Sequence, residues 1–224
     1  MKKRIALLLA LALALCGLAG CKRNEEPFAG IPNPVATMEL SNGSSMRFEL
    51  FLAEAPNTVA NFVQLANDGF YDGLSFFRII PGVLVQSGDP RNNGAGHADY
   101  VIQGEFADNG IENSVSHTRG TISMCRQSEY DTASSQFFIL QGTYPEYNGQ
   151  YAAFGRAMDE QSLSALDTIC STNVDANYNP VGAVPTITSI RVETYGYKYK
   201  PATMDFPDTT KKPEPAEGEE EETE

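Results

Sequence analysis

The sequence predicts a mainly β domain, a β-barrel with two helices as covers. Two observations carry this. Short apolar runs recur through the middle of the chain, separated by Gly, Pro, Asn and Asp, the pattern of closely spaced strands and turns. Two stretches in the same region place apolar residues at helical spacing instead. Many strands with few helices fit a barrel with helical covers, and no internal repeat is present.

The elements follow in order. Asn42-Gly43 suggests a hairpin turn. Met46, Phe48 and Leu50 then alternate with Arg47 and Glu49, a half-buried strand. Pro56 can open a helix whose inner face is Val59, Phe62, Val63 and Ala66, and Gly69 is placed to end it. Strand-like runs follow at Leu74 to Ile80, Val83 to Ser87, Gly120 to Met124, Gln136 to Leu140 and Ala152 to Arg156. A second helix is expected from Ser162 to Cys170, with Leu163, Leu166 and Ile169 facing inward. A last strand lies near Thr186 to Thr194.

Composition narrows the function classes. Of 224 residues, 42% are hydrophobic, enough for a sizeable core. The formal net charge of -13 opposes nucleic-acid binding, which needs clustered Lys and Arg against phosphate. Cys16, Cys21, Cys125 and Cys170 form no CxxC pair and no cluster with histidine, so no metal is expected.

The ends read differently from the middle. Lys2, Lys3 and Arg4 precede an apolar run from Ile5 to Leu15. That run is shorter than the roughly 20 residues of a bilayer-spanning helix and fits a secretory signal. Leu18-Ala19-Gly20-Cys21 resembles the lipobox of bacterial lipoproteins. The resemblance implies that residues 1–20 are removed and that Cys21 is lipidated, two or more acyl chains giving stable attachment. Residues 21–34, with Pro27, Gly30, Pro32 and Pro34, read as the lipidated cysteine and a linker. The stretch 197–224 holds Pro201, Pro207, Pro213 and Pro215 and closes on a run of glutamates. It is expected to be a disordered acidic tail.

Five blocks of the middle region resemble one family. Phe70-Tyr71-Asp72-Gly73 comes first. Phe76-Phe77-Arg78-Ile79-Ile80-Pro81-Gly82 follows, with Gln86-Ser87-Gly88-Asp89-Pro90. Then come Arg119 to Met124, Ser134-Ser135-Gln136-Phe137-Phe138-Ile139 and Asn148 to Gly155. In this order they resemble the cyclophilin-type peptidyl-prolyl cis/trans isomerases, over roughly residues 35–196. The resemblance implies a closed eight-stranded antiparallel barrel capped by two helices. The implied activity is rotation about X-Pro bonds, with X-Pro segments of unfolded or exported proteins as partners.

The chemistry needs neither nucleophile nor cofactor, because no bond breaks. Amide resonance opposes rotation with a barrier of about 18–20 kcal/mol, and a catalyst must bind the twisted amide better than either planar form. An apolar pocket for the proline ring and a fixed cationic donor suffice, and arginine suits the donor role. The resemblance implies that Arg78 is catalytic, that Gln86 positions it and the substrate carbonyl, and that Phe138 walls the proline pocket. It places Gln136 at the rim and puts the backbone of Cys125, Arg126 and Gln127 beside the substrate residue before proline. Val83 and Leu84 stand where the family usually has Phe-Met, so the pocket floor stays apolar but loses an aromatic face. Tyr147 replaces a leucine of the wall, Tyr151 stands where many members have histidine, and Glu146 where many have tryptophan.

Cys125 and Cys170 are not expected to pair, and His97 and His117 read as surface loop residues rather than ligands. The chain is expected to act as a monomer, lipid-anchored in the cell envelope outside the cytoplasmic membrane. Two other functions compete. One is a catalytically weak module of the same fold that binds proline-containing or unfolded segments, favoured by Val83, Tyr147 and Glu146. The other is a structural envelope lipoprotein, which the pocket residues oppose. An isomerisation assay separates them.

Overall fold

The first hairpin forms where its turn chemistry requires. Asn42 accepts hydrogen bonds on its side-chain oxygen from the Ser44 amide and hydroxyl at 3.0 and 2.7 Å, an Asx-type turn. It joins β1 (Val35–Leu40) to β2 (Ser45–Leu50). The computed structural model describes residues 28–206. The signal peptide read at 1–20, Cys21 with most of its linker, and the acidic residues from 207 onward lie outside the described residues. Asn33 and Pro34, read as the end of the linker, already bond to β2 and the residues after it: Asn33 to Glu49 and Leu52, and the Pro34 carbonyl to the Leu50 amide.

The remaining strands are β3 (Arg78–Ile80), β4 (Leu84–Ser87), β5 (Thr121–Met124), β6 (Phe137–Leu140), β7 (Ala153–Ala157) and β8 (Ile187–Glu193). They form one antiparallel sheet in the order β3-β4-β6-β5-β7-β2-β1-β8. The barrel expected to be closed is instead a curled half-barrel, because β3 and β8 do not pair. Two bonds between Gly73-Leu74 and Ile187, at 2.7 and 2.8 Å, begin such a seam. It goes no further, since the outer edge of the three-residue β3 is taken: the Ile79 amide donates to the Tyr178 carbonyl at 2.9 Å. The strand expected from Leu74 is short for a related reason. The Ser75 amide and carbonyl bond to Asn92 and Ser87 side chains rather than to a neighbouring strand.

Helix α1 (Pro56–Asn67) fills the half-barrel. Pro56 supplies its first position, where a missing N–H costs nothing. No local side chain caps it. Glu105 does so from far along the chain, accepting from the Asn57 and Thr58 amides at 3.0 and 2.7 Å. This satisfies orphan donors and opposes the positive end of the helix dipole. Phe62 is buried at the centre, with ring centroids 5.2 Å from Tyr71, 5.6 Å from Phe137 and 5.1 Å from Phe154.

Helix α2 (Glu160–Cys170) is capped by Asp159, whose carboxylate accepts from the Ser162 amide at 2.8 Å. Its Asp167 takes both arms of Arg119 at 2.8 and 2.7 Å and the Gln141 amide at 3.0 Å. Gln141 in turn accepts from the Gly82 amide at 2.7 Å. One polar chain thus ties α2 to the turn before β4. The Arg119 fork, with help from Gln141, lowers the Asp167 carboxyl from 3.8 to about 2. A carboxyl depressed on folding stabilises the fold above its unfolded value and loses that contribution as pH falls through the folded one. The window is therefore about pH 4 to 2. Both side chains are more than a third exposed, so solvent screens the effect. Melting temperature followed from pH 5 to 2 should fall less steeply in Asp167→Asn than in the wild type. Parallel curves would show that the pair does not report acid stability.

The first residues read as a tail are bonded to the domain. Ala202 and Asn57 exchange two hydrogen bonds, and Val101 pairs with Met204. Residues up to 206 therefore run back along the body, held by partners more than a hundred positions upstream.

Candidate functional site

Strand register builds the site. Arg78 on β3 faces Gln86 on β4, Gln86 faces Phe138 on β6, and Phe138 faces Ser123 on β5. Directly opposed residues share a face of a sheet, so these four side chains form one row. The next row on the same face is Ile80, Leu84 and Leu140. The residues between them, Ile79, Val85, Ile139 and Ile122, are fully buried and point to the other face, into the core. Alternation along four short strands thus separates core from site.

The row is held by a relay of amides. The Arg78 guanidinium donates to Gln86 Oε1 across a loose 3.4 Å. Gln86 Nε2 donates to Gln136 Oε1 at 2.9 Å. Gln136 Nε2 donates to the carbonyls of Gly94 and Gly96 at 3.0 and 2.7 Å. Two carbonyls can only accept, which fixes the Gln136 amide, hence the Gln86 amide, and so turns Oε1 of Gln86 towards Arg78. The loop carrying those carbonyls winds around buried Asp89. Burial alone would raise the Asp89 carboxyl, but backbone N–H donors from Arg91, Asn93, Gly96 and Gly94 outweigh it and hold it low. The winding admits no side chain at two points. A Cβ on Gly96 would lie 1.8 Å from Asp89 Oδ1, and one on Gly88, at φ +88°, 2.3 Å from the Ser135 carbonyl oxygen.

Beside the row lies an apolar cluster. Buried Leu84, Phe138 and Leu140 are packed by Val83, Cys125, Tyr144, Tyr147 and Tyr151. The Phe138 ring is 6.0 Å from Tyr147 and 5.5 Å from Tyr151, both edge to face, and the two tyrosines are 5.4 Å apart. Tyr144 stacks on Tyr147 at 5.7 Å and donates its hydroxyl to the Gly82 carbonyl at 2.8 Å. Tyrosines thus supply aromatic surface next to Val83. Glu146 is exposed.

Arg126 is fixed rather than free. Its guanidinium donates to the carbonyls of Gln150, Gln127 and Ser128 and lies 5.0 to 5.4 Å from the ring centres of Tyr151, Tyr130 and Phe106. Arg78, by contrast, has no carboxylate within ion-pair range among the described residues. Desolvation pushes the half-buried Cys125 thiol up to about 12, which favours the protonated thiol near neutral pH. Cys125 and Cys170 form no disulfide among the described residues. No cluster of potential metal ligands occurs among the described residues.

The structure therefore brings Arg78, Gln86, Val83, Leu84, Phe138, Gln136, Cys125, Arg126, Tyr147 and Tyr151 together on one surface. It corrects one reading: His117 is buried, not a surface residue, and lies behind Phe138. Its Nε2 is 3.1 Å from Ser123 Oγ and its Nδ1 3.1 Å from Asn148 Oδ1. Desolvation lowers its pKa, so the ring is neutral at pH 7. His97 stays half-exposed in its loop. Sequence reasoning missed Tyr144 and Ser123. It also missed Tyr178, whose ring centre is 6.0 Å from the Arg78 guanidinium.

Comparison with known proteins agrees with this geometry. The family model described as cyclophilin type peptidyl-prolyl cis-trans isomerase/CLD matches residues 35–192. A peptidyl-prolyl cis-trans isomerase of Synechococcus elongatus is 41% identical over 134 residues, spanning 60% of this chain and 87% of that protein. Peptidyl-prolyl cis-trans isomerase B of Bacillus subtilis is 44% identical over 117 residues, 52% of this chain and 78% of its own. Among solved structures, a Cryptosporidium parvum cyclophilin type isomerase, crystallised in the presence of the dipeptide Ala-Pro, aligns with a TM-score of 0.61 at 28% identity. The alignment covers 71% of this chain and 98% of that one.

Proposed function

The chain belongs to the cyclophilin-type peptidyl-prolyl cis-trans isomerases, and from that premise we propose that it isomerises X-Pro bonds of exported proteins from a lipid anchor on Cys21. The observation that supports the catalytic assignment is the row Arg78, Gln86, Phe138, with a guanidinium that meets no carboxylate among the described residues at one end and an apolar wall at the other. The proline ring of a substrate sits against Phe138 among Leu84, Val83, Tyr147 and Tyr151. The residue before it runs past Cys125, Arg126 and Gln127.

Rotation uncouples the proline nitrogen lone pair from the carbonyl and redistributes charge along the amide. Arg78, aimed by Gln86, stabilises that distribution more than the planar one. This differential binding is what accelerates rotation. Gln136 holds Gln86, and no cofactor takes part.

The export reading rests on Lys2 to Leu15 followed by Leu18-Ala19-Gly20-Cys21. Native protein recovered from membranes should lack residues 1–20 and carry acyl chains on Cys21 by mass spectrometry. Cys21→Ser should release it from the membrane or leave an uncleaved precursor. An unmodified Cys21 on the native mature chain overturns the anchor and leaves the enzyme intact. Purified protein should speed cis-to-trans exchange of X-Pro peptides above the uncatalysed tens to hundreds of seconds.

A further inference from the structure

Beyond β8 the chain runs back to the pocket beside Gln86 and Gln136, where Phe206 forms part of the wall. Ala202 and Asn57 exchange bonds of 2.7 and 3.0 Å, and Val101 and Met204 exchange backbone bonds of 2.9 and 2.8 Å. Four hydrogen bonds thus hold the chain just before Phe206. Phe206 is half-buried, with its ring centre 4.1 Å from that of His97. The His97 ring is oriented in its turn: its Nδ1 lies 2.7 Å from the Ala98 carbonyl, which can only accept, so Nδ1 carries the proton. Phe206 and His97 line a pocket of about 340 Å³ whose other walls include Gln86, Gln136, Cys125 and Gln127. The pocket therefore shares Gln86 with the row, Gln136 with the relay that holds it and Cys125 with the apolar cluster. Phe206 lies beyond the residues 35–192 that the family model matches.

We propose that Phe206 is a specificity-determining residue, the aromatic wall of a subsite for an apolar side chain upstream of the substrate proline. The inference rests on the isomerase reading above. Gln136 borders the pocket and Phe138 walls the proline site. Two residues apart on one extended segment, they are separated by about 7 Å. An extended substrate covers that distance in two residues. The subsite thus receives the side chain two positions before proline. An aromatic face there favours an apolar or aromatic side chain over glycine.

The test uses the full chain and peptides Xaa-Ala-Pro-Ala with Xaa as Gly, Leu or Phe. The wild type should show kcat/KM higher for Leu and Phe than for Gly by about three- to tenfold, the scale of one aromatic contact. Phe206→Ala should erase that preference and leave the glycine peptide unchanged. Asn57→Ala, which loosens the segment without entering the pocket, should weaken the same preference. A Phe206→Ala variant that keeps the preference, or that changes all three peptides alike, overturns the proposal. No turnover of the glycine peptide by the wild type overturns the isomerase reading, and this inference with it.

Discussion

Arg78→Ala is expected to lower kcat/KM for X-Pro peptides by about 10²-fold or more, the usual cost of removing one preorganised electrostatic donor. The loss should fall mainly on kcat, because the guanidinium acts on the twisted amide rather than on the ground state. Stability should change little. Arg78 is half-buried, its one side-chain hydrogen bond is 3.4 Å long, and it belongs to no ion pair among the described residues. Arg78→Lys should recover little, since an ammonium lacks the fork that meets Gln86 and the substrate together. Steady-state kinetics with a melting curve on each variant checks both halves. A tenfold or smaller loss, or a loss explained by unfolding, contradicts the assignment.

Phe138→Ala is expected to do something different. Phe138 is 4% exposed and packed by Leu84, Leu140 and the rings of Tyr147 and Tyr151. Truncating a buried phenylalanine costs about 3–5 kcal/mol. At about 2–4 °C per kcal/mol in a domain of this size, the melting temperature should fall by about 6 °C or more. Activity should collapse with it, as the wall under the proline ring is lost. Phe138→Leu separates the two roles. It keeps an apolar filling, so most of the stability returns, yet kcat/KM stays well below wild type because the flat ring face is gone. Full activity in Phe138→Leu would show that the face of the ring is not used.

Much of this was legible because it is local. Alternation at Met46, Phe48 and Leu50, Pro56 at a helix start and Asn42-Gly43 at a turn each depend on a few neighbouring residues, and each appears in the structure. The sequence blocks also marked the residues of the row. What they could not convey is pairing across distance. The opposition of Gln86 and Phe138 spans 52 positions, and the cap on α1 comes from Glu105, far from Pro56. The edge of β3 is likewise closed by Tyr178, from a polar loop with no strand pattern, and this is why the barrel stays open. His117 looked like a loop histidine because its neighbours Ser116 and Thr118 are polar. Its burial is imposed by Ser123, Asn148 and Phe138 from other segments. The segment around Met204 and Phe206 is proline-bearing and precedes a glutamate run, so composition spoke for solvent. Its anchors, Asn57 and Val101, lie more than a hundred residues upstream.

The central claim is that the row catalyses rotation instead of only gripping proline. Exchange spectroscopy by NMR on one X-Pro peptide tests this directly, because it reads binding and cis/trans interconversion in the same sample. Catalysis requires that wild-type protein at a few per cent of the peptide concentration broaden or cross-correlate the cis and trans proline signals. With Arg78→Ala the peptide should still perturb Phe138 and Gln86, while exchange returns to the uncatalysed rate. Wild-type protein that binds the peptide yet leaves exchange at the uncatalysed rate would contradict the account and identify a proline-binding module in its place.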